Sequence, residues 1–279
     1  MGRSASTTCA MSEPAGFTRH HGPLSSLRAG HGPRVVFVHG FTQTGRSWLP
    51  VASQFTNEYE VVLVDAPGHG QSGHADASLA AGADQLAETC GPATYVGYSM
   101  GGRLCLQLAL TQPELVQSLV LIGATAGIED ATERAQRRIA DDALAADIGR
   151  VGVEAFLRTW LALPLFASLS DEAAGFSDRL ENTAEGLAAS LRNAGTGTQS
   201  PMWHQLSAIA APTLVLAGAS DAKFTEIGKR LVASIGPNAT FETIAGAGHS
   251  AHLEQPAAVS AAIRTALIGL LKTIGQPPT

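Results

Sequence analysis

Charged side chains are in short supply in this sequence. Asp, Glu, Lys and Arg form only 15% of its 279 residues, while hydrophobic residues form 45%, the balance of a soluble globule with a sizeable core. Positive charge is the scarcer sign: 18 Lys and Arg stand against 24 Asp and Glu, a formal net charge of -6. No basic stripe offsets that deficit, which argues against a general nucleic-acid binder. Cysteine is nearly absent too. Cys9, Cys90 and Cys105 are odd in number and widely spaced, so they supply neither a disulfide framework nor a metal-ligand spacing, and they suit a reducing compartment. No apolar run approaches the roughly 20 residues that span a bilayer. The first 30 residues lack the apolar stretch of a signal peptide and are rich in Ser, Gly, Pro and His. They read as a flexible N-terminal extension, and the cytoplasm is the expected location.

What the chain does have is a series of short apolar, β-branched runs, each ending in Gly or a polar turn. They are "RVVFVHG" (34–40), "YEVVLVDAPGHG" (59–70), "ATYVGYS" (93–99), "SLVLIGA" (118–124), "PTLVLAG" (212–218) and "ATFETIAGAG" (239–248). Continuous apolar strands without alternation belong to a sheet covered on both faces. Helical segments at 79–90 and 101–111 fall between them, and such alternation gives an open, mostly parallel sheet. Chemistry on such sheets collects at the carboxyl ends of the strands. The rhythm breaks once, from Gly127 to His204, where the pattern is helical and opens with Asp130 and Glu133 at capping-box spacing. The expected organisation is an extension over 1–30, an α/β core over 31–126 and 205–279, and a helical cap over 127–204 acting as a lid.

Gly97-Tyr98-Ser99-Met100-Gly101 fits G-x-S-x-G at a strand-to-helix turn. Small flanking residues permit so tight a turn, and the following helix directs N–H groups and its positive dipole end at Ser99. A serine held this way needs a base, and the base needs an orienting carboxylate, in the order Ser, Asp or Glu, His. Asp221 follows the strand "PTLVLAG", and His249 follows the last strand in "AGAGHSAHLEQP". His252 is the rival base, but its place at the start of the final helical segment favours capping or packing. Asp65 in "VDAPGHG" is a rival carboxylate that precedes the serine and reads as fixing its own turn. "VHGF" at 38–41 brings His39 and a Gly40 turn, after which the Phe41 N–H joins that of Met100 as an oxyanion hole.

Arg103 is the one charge in "MGGRLCLQLAL" and lies one helical turn after Ser99, with a side chain that leans back toward it. Leu104, Leu106, Leu108 and Leu110 surround it, so the helix reads as buried, with Cys105 as a small core residue. An unpaired buried guanidinium costs several kcal/mol. Two accounts remain: a protein carboxylate pairs with it, or the site takes an anionic substrate. In "TERAQRRIADD" the pairs Glu133–Arg137, Arg137–Asp141 and Arg138–Asp142 have i,i+4 spacing, the pattern of a solvated salt-bridged face. Arg179 in "SDRLEN" reads as a surface residue, and Trp160 as lid core.

"FVHGF", "DAPGHGQS", "GYSMGG", the Asp after "LVLAG" and "GAGH" follow one another in an order that resembles the α/β-hydrolase superfamily, over nearly the whole chain from Arg34. The resemblance implies a mostly parallel central sheet flanked by helices, with a helical cap insertion; it says little of substrate, since one triad serves many reactions. "GYSMGGR", "ERAQRR", "FLRTWLALPLFASL", "DRLENTAEGLAASLRNAGTGTQSPMW" and "GASDAKF" are similar to one branch of it. That branch is the menaquinone-pathway synthases that form 2-succinyl-6-hydroxy-2,4-cyclohexadiene-1-carboxylate.

This second resemblance implies a lyase that eliminates pyruvate from 2-succinyl-5-enolpyruvyl-6-hydroxy-3-cyclohexene-1-carboxylate. It implies Ser99, Asp221 and His249 as the triad and Arg103, Arg137 and Arg179 as substrate anchors. Tyr98, Trp160 and His39 are counted as further substrate-binding positions. No cofactor and no metal are called for. The expected partner is a small anionic carboxylate, with no nucleic acid and no membrane span; the oligomeric state is left open, with a monomer favoured. A serine esterase or C–C bond hydrolase of the same fold, with Ser99 as nucleophile, remains the alternative. A catalytically idle small-molecule receptor is opposed by the intact Ser, His and Asp.

Overall fold

The computed structural model describes residues 12–274. Eight strands in them form one sheet: β1 Thr18–His20, β2 Ser26–Ala29, β3 Arg34–Val38, β4 Glu60–Val64, β5 Ala93–Tyr98, β6 Val116–Ile122, β7 Thr213–Gly218 and β8 Ala239–Ile244. Their order is β1-β2-β4-β3-β5-β6-β7-β8. The pairs β1–β2 and β2–β4 are antiparallel, and every pair from β4 to β8 is parallel. The helices are α1 Leu49–Ala52, α2 Leu79–Cys90, α3 Met100–Thr111, α4 Ala131–Val151, α5 Val153–Leu161, α6 Phe176–Arg179, α7 Ala184–Ala194, α8 Ala222–Ile235, α9 Ala251–Glu254 and α10 Pro256–Ile274.

The apolar runs are strands because both of their faces are covered. In β3 and β4 every residue after the first is buried. Val36, Val38, Val62 and Val64 join α2, α3 and α8 through Leu86, Leu104, Leu108 and Leu231. Val35, Phe37, Val61 and Leu63 point the other way, to Trp48, Val51, Val259 and Ile263 of the α1 and α10 side. Each such side chain contributes about 1.5–3 kcal/mol on full burial, so strand alternation builds two cores on one sheet. Cys90 and Cys105 are free and lie in the first of them. Burial pushes the Cys90 thiol up to about 12, which keeps it unreactive. Among the described residues no helix is long and apolar enough to cross a membrane.

The strand order also fixes where chemistry is placed. The chain leaves β3 for β4 on one side and returns to β5 on the other. The carboxyl ends of β3 and β5 therefore border a topological switch point, where open α/β sheets leave a crevice. Phe41 follows β3 and Ser99 follows β5. Between β6 and β7 the described residues contain no strand, and α4 to α7 stack over this end around a small core of their own: Ala145, Ile148, Phe156, Leu187, Ala188 and Leu191. Asp130 caps α4 by accepting the Glu133 N–H at 2.8 Å, and Gly152, at φ 81°, ends it.

Residues 18–29 depart from the expected flexible extension. They form the β1–β2 pair, which continues the sheet beyond β4, with Phe17, Leu24 and Leu27 buried. Arg19 Nη1 reaches Asp65 Oδ2 at 3.4 Å. Covering the outer edge of β4 is the gain. Strands of 3 and 4 residues that carry Arg and His are too short to show a hydrophobic period. Residues 1–11, including Cys9, lie outside the described residues.

Candidate active site

Ser99 occupies a backbone conformation that few side chains adopt, φ 50° and ψ -109°, at a cost of about 1–3 kcal/mol. Its glycine neighbours are forced by contact. A Cβ on Gly97 would stand 2.6 Å from the Gly101 carbonyl oxygen, and one on Gly101 would stand 2.1 Å from that of Val38. The Ser99 N–H is tied to the Ile122 carbonyl at 2.8 Å, and its hydroxyl is not spent on capping α3. The N–H groups of Phe41 and Met100 have no partner among the described residues, and both residues line the cavity that Ser99 faces.

Asp221 leaves β7 as the N-cap of α8, accepting the Phe224 N–H on Oδ1 at 3.1 Å. Its Oδ2 receives His249 Nδ1 at 2.8 Å. Burial pushes its carboxyl up, but the bonds from His249 and from the Phe224 N–H outweigh this and hold it below its ordinary range. A charged Asp221 sets the proton of His249 on Nδ1 and leaves Nε2 as the basic atom. The imidazole is held between Phe224, at 4.4 Å between ring centroids, and Tyr98, at 5.4 Å. Gly123 backs it from a third side: at φ 56°, a Cβ there would lie 3.1 Å from His249 Cε1. Ser99 and His249 share the wall of a cavity of about 190 Å³.

Three arginines reach the same cavity. Arg103 is buried, and its Nη1 donates to the Ala194 carbonyl at 2.5 Å and to Gln199 Oε1 at 3.0 Å. No carboxylate among the described residues lies within ion-pair distance of it. Burial pulls its pKa down to about 10, Arg137 adding to the effect and Asp141 opposing it; at neutral pH it stays charged. Arg179 is no surface residue. It is 2% exposed, donates from Nε to the Ala174 carbonyl at 2.7 Å and from Nη1 to Thr42 Oγ1, and burial brings its pKa to about 10 as well.

The salt-bridged face read from "TERAQRRIADD" is corrected likewise. Only Arg137–Asp141 forms, at 2.8 Å, and Asp141 is turned inward with 1% exposure. The reason is packing: Asp141 Oδ2 also accepts the Gly197 N–H, at 3.3 Å, from the chain that follows α7.

Tyr98 and Trp160 line the cavity as well. Tyr98 places its hydroxyl 3.0 Å from Ser250 Oγ. Gly40 lies against its ring, where a Cβ would come within 2.6 Å. Trp160 stacks on Phe156 at 5.8 Å and meets Phe41 edge-on at 5.3 Å. His39 does not line the cavity. Its Nδ1 bonds the Gly40 carbonyl at 2.8 Å and its Nε2 accepts the Ala66 N–H at 2.9 Å. Burial lowers its pKa to about 4, against the Gly40 bond and with help from Arg179. It is a neutral strut between the β3 and β4 exits. His252 is a packing residue, between Trp48 at 4.4 Å and Tyr98 at 4.2 Å. Asp65 holds its own turn by accepting the N–H groups of Gly45 and Gln71.

Comparison with known proteins bears on this geometry. The pattern of the alpha/beta hydrolase family matches residues 35–262. The chain belongs to the alpha/beta hydrolase family. Within that family, a Salmonella schwarzengrund protein named 2-succinyl-6-hydroxy-2,4-cyclohexadiene-1-carboxylate synthase is 33% identical over 81% of this chain and 90% of its own. A Bacillus subtilis protein, which carries the same name with a provisional qualifier, is 36% identical over 80% of this chain and 85% of its own. A solved structure of MenH from S. aureus superposes with a TM-score of 0.82 at 30% identity, covering 88% of this chain and 98% of that one.

The alpha/beta hydrolase motifs do not announce every residue at the site. Lys223 and Gln43 also line the cavity. Lys223 falls inside "GASDAKF", one of the segments that carry the resemblance, two residues after Asp221 at the start of α8, though no role is read for it there. Asn182 ties the helical layer to the β3 loop: its Nδ2 donates to the Thr42 carbonyl at 2.8 Å, and its Oδ1 accepts the Gly70 N–H at 2.8 Å. His69, neutral and buried, accepts the Thr42 N–H at 3.2 Å. Nothing local in the sequence marks these long-range contacts.

Proposed function

We propose that the chain is a lyase of menaquinone biosynthesis that eliminates pyruvate from 2-succinyl-5-enolpyruvyl-6-hydroxy-3-cyclohexene-1-carboxylate. It would work in the cytoplasm, without cofactor or metal. The observation that carries this reading is Arg103: a buried guanidinium beside Ser99 with neutral acceptors and, among the described residues, no carboxylate. A substrate carboxylate would supply the missing charge. Charge-assisted pairs of this kind contribute about 1.5–3 kcal/mol each, and arginine's planar fork suits bidentate capture. Arg137 and Arg179 on the same wall match a substrate with three carboxylates. An apolar ester would gain nothing from them.

In this reading His249, oriented by Asp221, takes the Ser99 proton, and Ser99 removes the proton from the ring carbon that bears the succinyl group. The electron pair passes to the succinyl carbonyl oxygen, facing the Phe41 and Met100 N–H groups. Its return makes a double bond between that carbon and its ring neighbour, moves the existing ring double bond one position along, and breaks the bond to the enolpyruvyl oxygen. The enolate of pyruvate leaves and regains its proton from His249. Ser99 acts as base, and no acyl-enzyme forms. The cap over 127–204 would exclude water while this occurs.

The test supplies the enolpyruvyl substrate and follows pyruvate release together with diene absorbance, for the wild type, Ser99→Ala and Arg103→Ala. Stoichiometric release by the wild type, lost in both variants, is the expected result. A wild type no faster than the spontaneous reaction, yet able to cleave aryl esters through Ser99, would instead make it an esterase.

A further inference from the structure

The loop that carries His249 has a second hold, outside the triad. Gly248 and Ser250 flank the histidine, and one carboxylate receives the N–H groups of both. Gly248 N–H donates to Glu254 Oε2 at 2.7 Å, and Ser250 N–H donates to Glu254 Oε1 at 3.0 Å. Each oxygen is committed to a charge-assisted bond, so the two together span the peptide on either side of His249. Ser250 passes the constraint on through its hydroxyl, 3.0 Å from that of Tyr98, whose ring lies against the imidazole. Other supports lie further out: Ser220 N–H donates to the Ala247 carbonyl at 2.9 Å and Gln255 Nε2 to that of Gly246 at 3.3 Å. The Ser250 carbonyl accepts the N–H groups of Leu253 at 2.8 Å and Glu254 at 3.0 Å, so the N–H groups of Gly248 and Ser250 are held by the Glu254 carboxylate alone. Gly248 itself leaves no room for a substitute. A Cβ there would stand 2.3 Å from Ser168 Oγ and 3.4 Å from Glu254 Oε2.

We propose that Glu254 is a positioning residue for His249: by clamping the backbone on both sides of the base, it keeps Nδ1 on Asp221 and the ring facing the Ser99 cavity. The inference rests on the triad part of the proposed function and not on the choice of substrate. A carboxylate is required because both of its atoms accept. Glutamine at this position turns an NH₂ group toward one of two N–H donors, so one bond is lost and two donors are left facing each other.

The experiment uses Glu254→Gln and Glu254→Asp in the full chain, with three readouts. They are the rate at which a fluorophosphonate modifies Ser99, the ¹H–¹⁵N resonance of the His249 Nδ1–H, and near-ultraviolet circular dichroism. Glu254→Gln slows modification on the order of ten-fold, as expected for a slightly misplaced base, and shifts and broadens the imidazole resonance while the dichroism is kept. With the enolpyruvyl substrate the loss appears in kcat, and KM stays within about two-fold. Glu254→Asp, which retains two acceptors, recovers part of the rate. A Glu254→Gln protein with wild-type rate and resonance overturns the proposal, and so does a loss that simply follows the near-ultraviolet signal. A wild type that the phosphonate never modifies removes the triad reading instead, and the imidazole resonance then decides the clamp alone.

Discussion

Arg103 Nη1 donates at 3.0 Å to the side-chain oxygen of Gln199, residues 96 apart in sequence, so a neutral amide stands where a buried cation ordinarily finds a carboxylate. The proposed role of Arg103 in binding can therefore be tested without breaking an ion pair. Breaking a buried ion pair costs about 3–5 kcal/mol. Arg103→Met breaks no ion pair but leaves the buried Ala194 and Gln199 acceptors without a donor, at about 1–3 kcal/mol each, so its melting temperature should fall by roughly 5–15 °C. The kcat/KM for the anionic substrate should fall on the order of 10- to 100-fold. A loss of stability well beyond that in calorimetry, with kcat/KM kept, would mean that Arg103 serves the fold and not the substrate.

Ser99 pays conformational strain to stand at φ 50°. Ser99→Gly removes it, because glycine adopts positive φ freely. The variant should lose all activity and still unfold at a temperature roughly 2–4 °C higher, the equivalent of about 1 kcal/mol in a chain of this size. Ser99→Ala, equally inactive, keeps the strain and should not show the gain. Equal melting temperatures for the two would count against it.

Acid should weaken the fold before it reaches the carboxylates. His39 has a pKa of about 4 in the folded protein against 6.5 when unfolded. Between those values the unfolded chain binds more protons than the folded one. Stability therefore rises with pH across the window and is lost as pH falls from 6.5 toward 4, by up to ~3 kcal/mol for this residue. His69 and His252 are lowered in the same direction by burial. Melting temperature against pH should be steep in this range, and shallower in His39→Gln, which starts from a lower value at pH 7. Parallel curves for the two proteins would show that His39 does not contribute.

His252 offers a test of which histidine is the base. Its ring is fully buried, neither nitrogen has a hydrogen-bond partner among the described residues, and it stacks between Trp48 and Tyr98. His252→Phe keeps a ring in that slot and removes two polar atoms that gain nothing from burial. The variant should be as stable as the wild type or more so, and should retain most activity, whereas His249→Ala loses it. Comparable losses in both would return His252 to the chemistry.

Much of the fold can be read along the chain, because apolar runs such as those of β3 and β4 are local and lie between glycines. Ser99, Asp221 and His249 are legible for a related reason: each sits at a strand exit, where a short motif records both residue and geometry. Arg179 was not legible from pattern. Its neighbours Asp178 and Glu181 are those of a surface helix, and only the long-range contact with Thr42 shows that the side chain is enclosed. His39 misled in the opposite direction, since its position beside the oxyanion turn suggests substrate while both of its nitrogens serve the backbone. The hairpin β1–β2 escaped because its pairing with β4 is set by sequence far away.

The Thr42 carbonyl and hydroxyl are bonded by Asn182 and Arg179, and Thr42 is the residue after Phe41, the proposed oxyanion donor. The helical layer therefore sets the angle of the Phe41 N–H group besides covering it. Exchanging that layer for one from another hydrolase, a common route to new specificity by recombination, would misalign Phe41 even where both chain junctions matched. Here the unit that must be inherited whole is the layer together with the turn at residues 40–42.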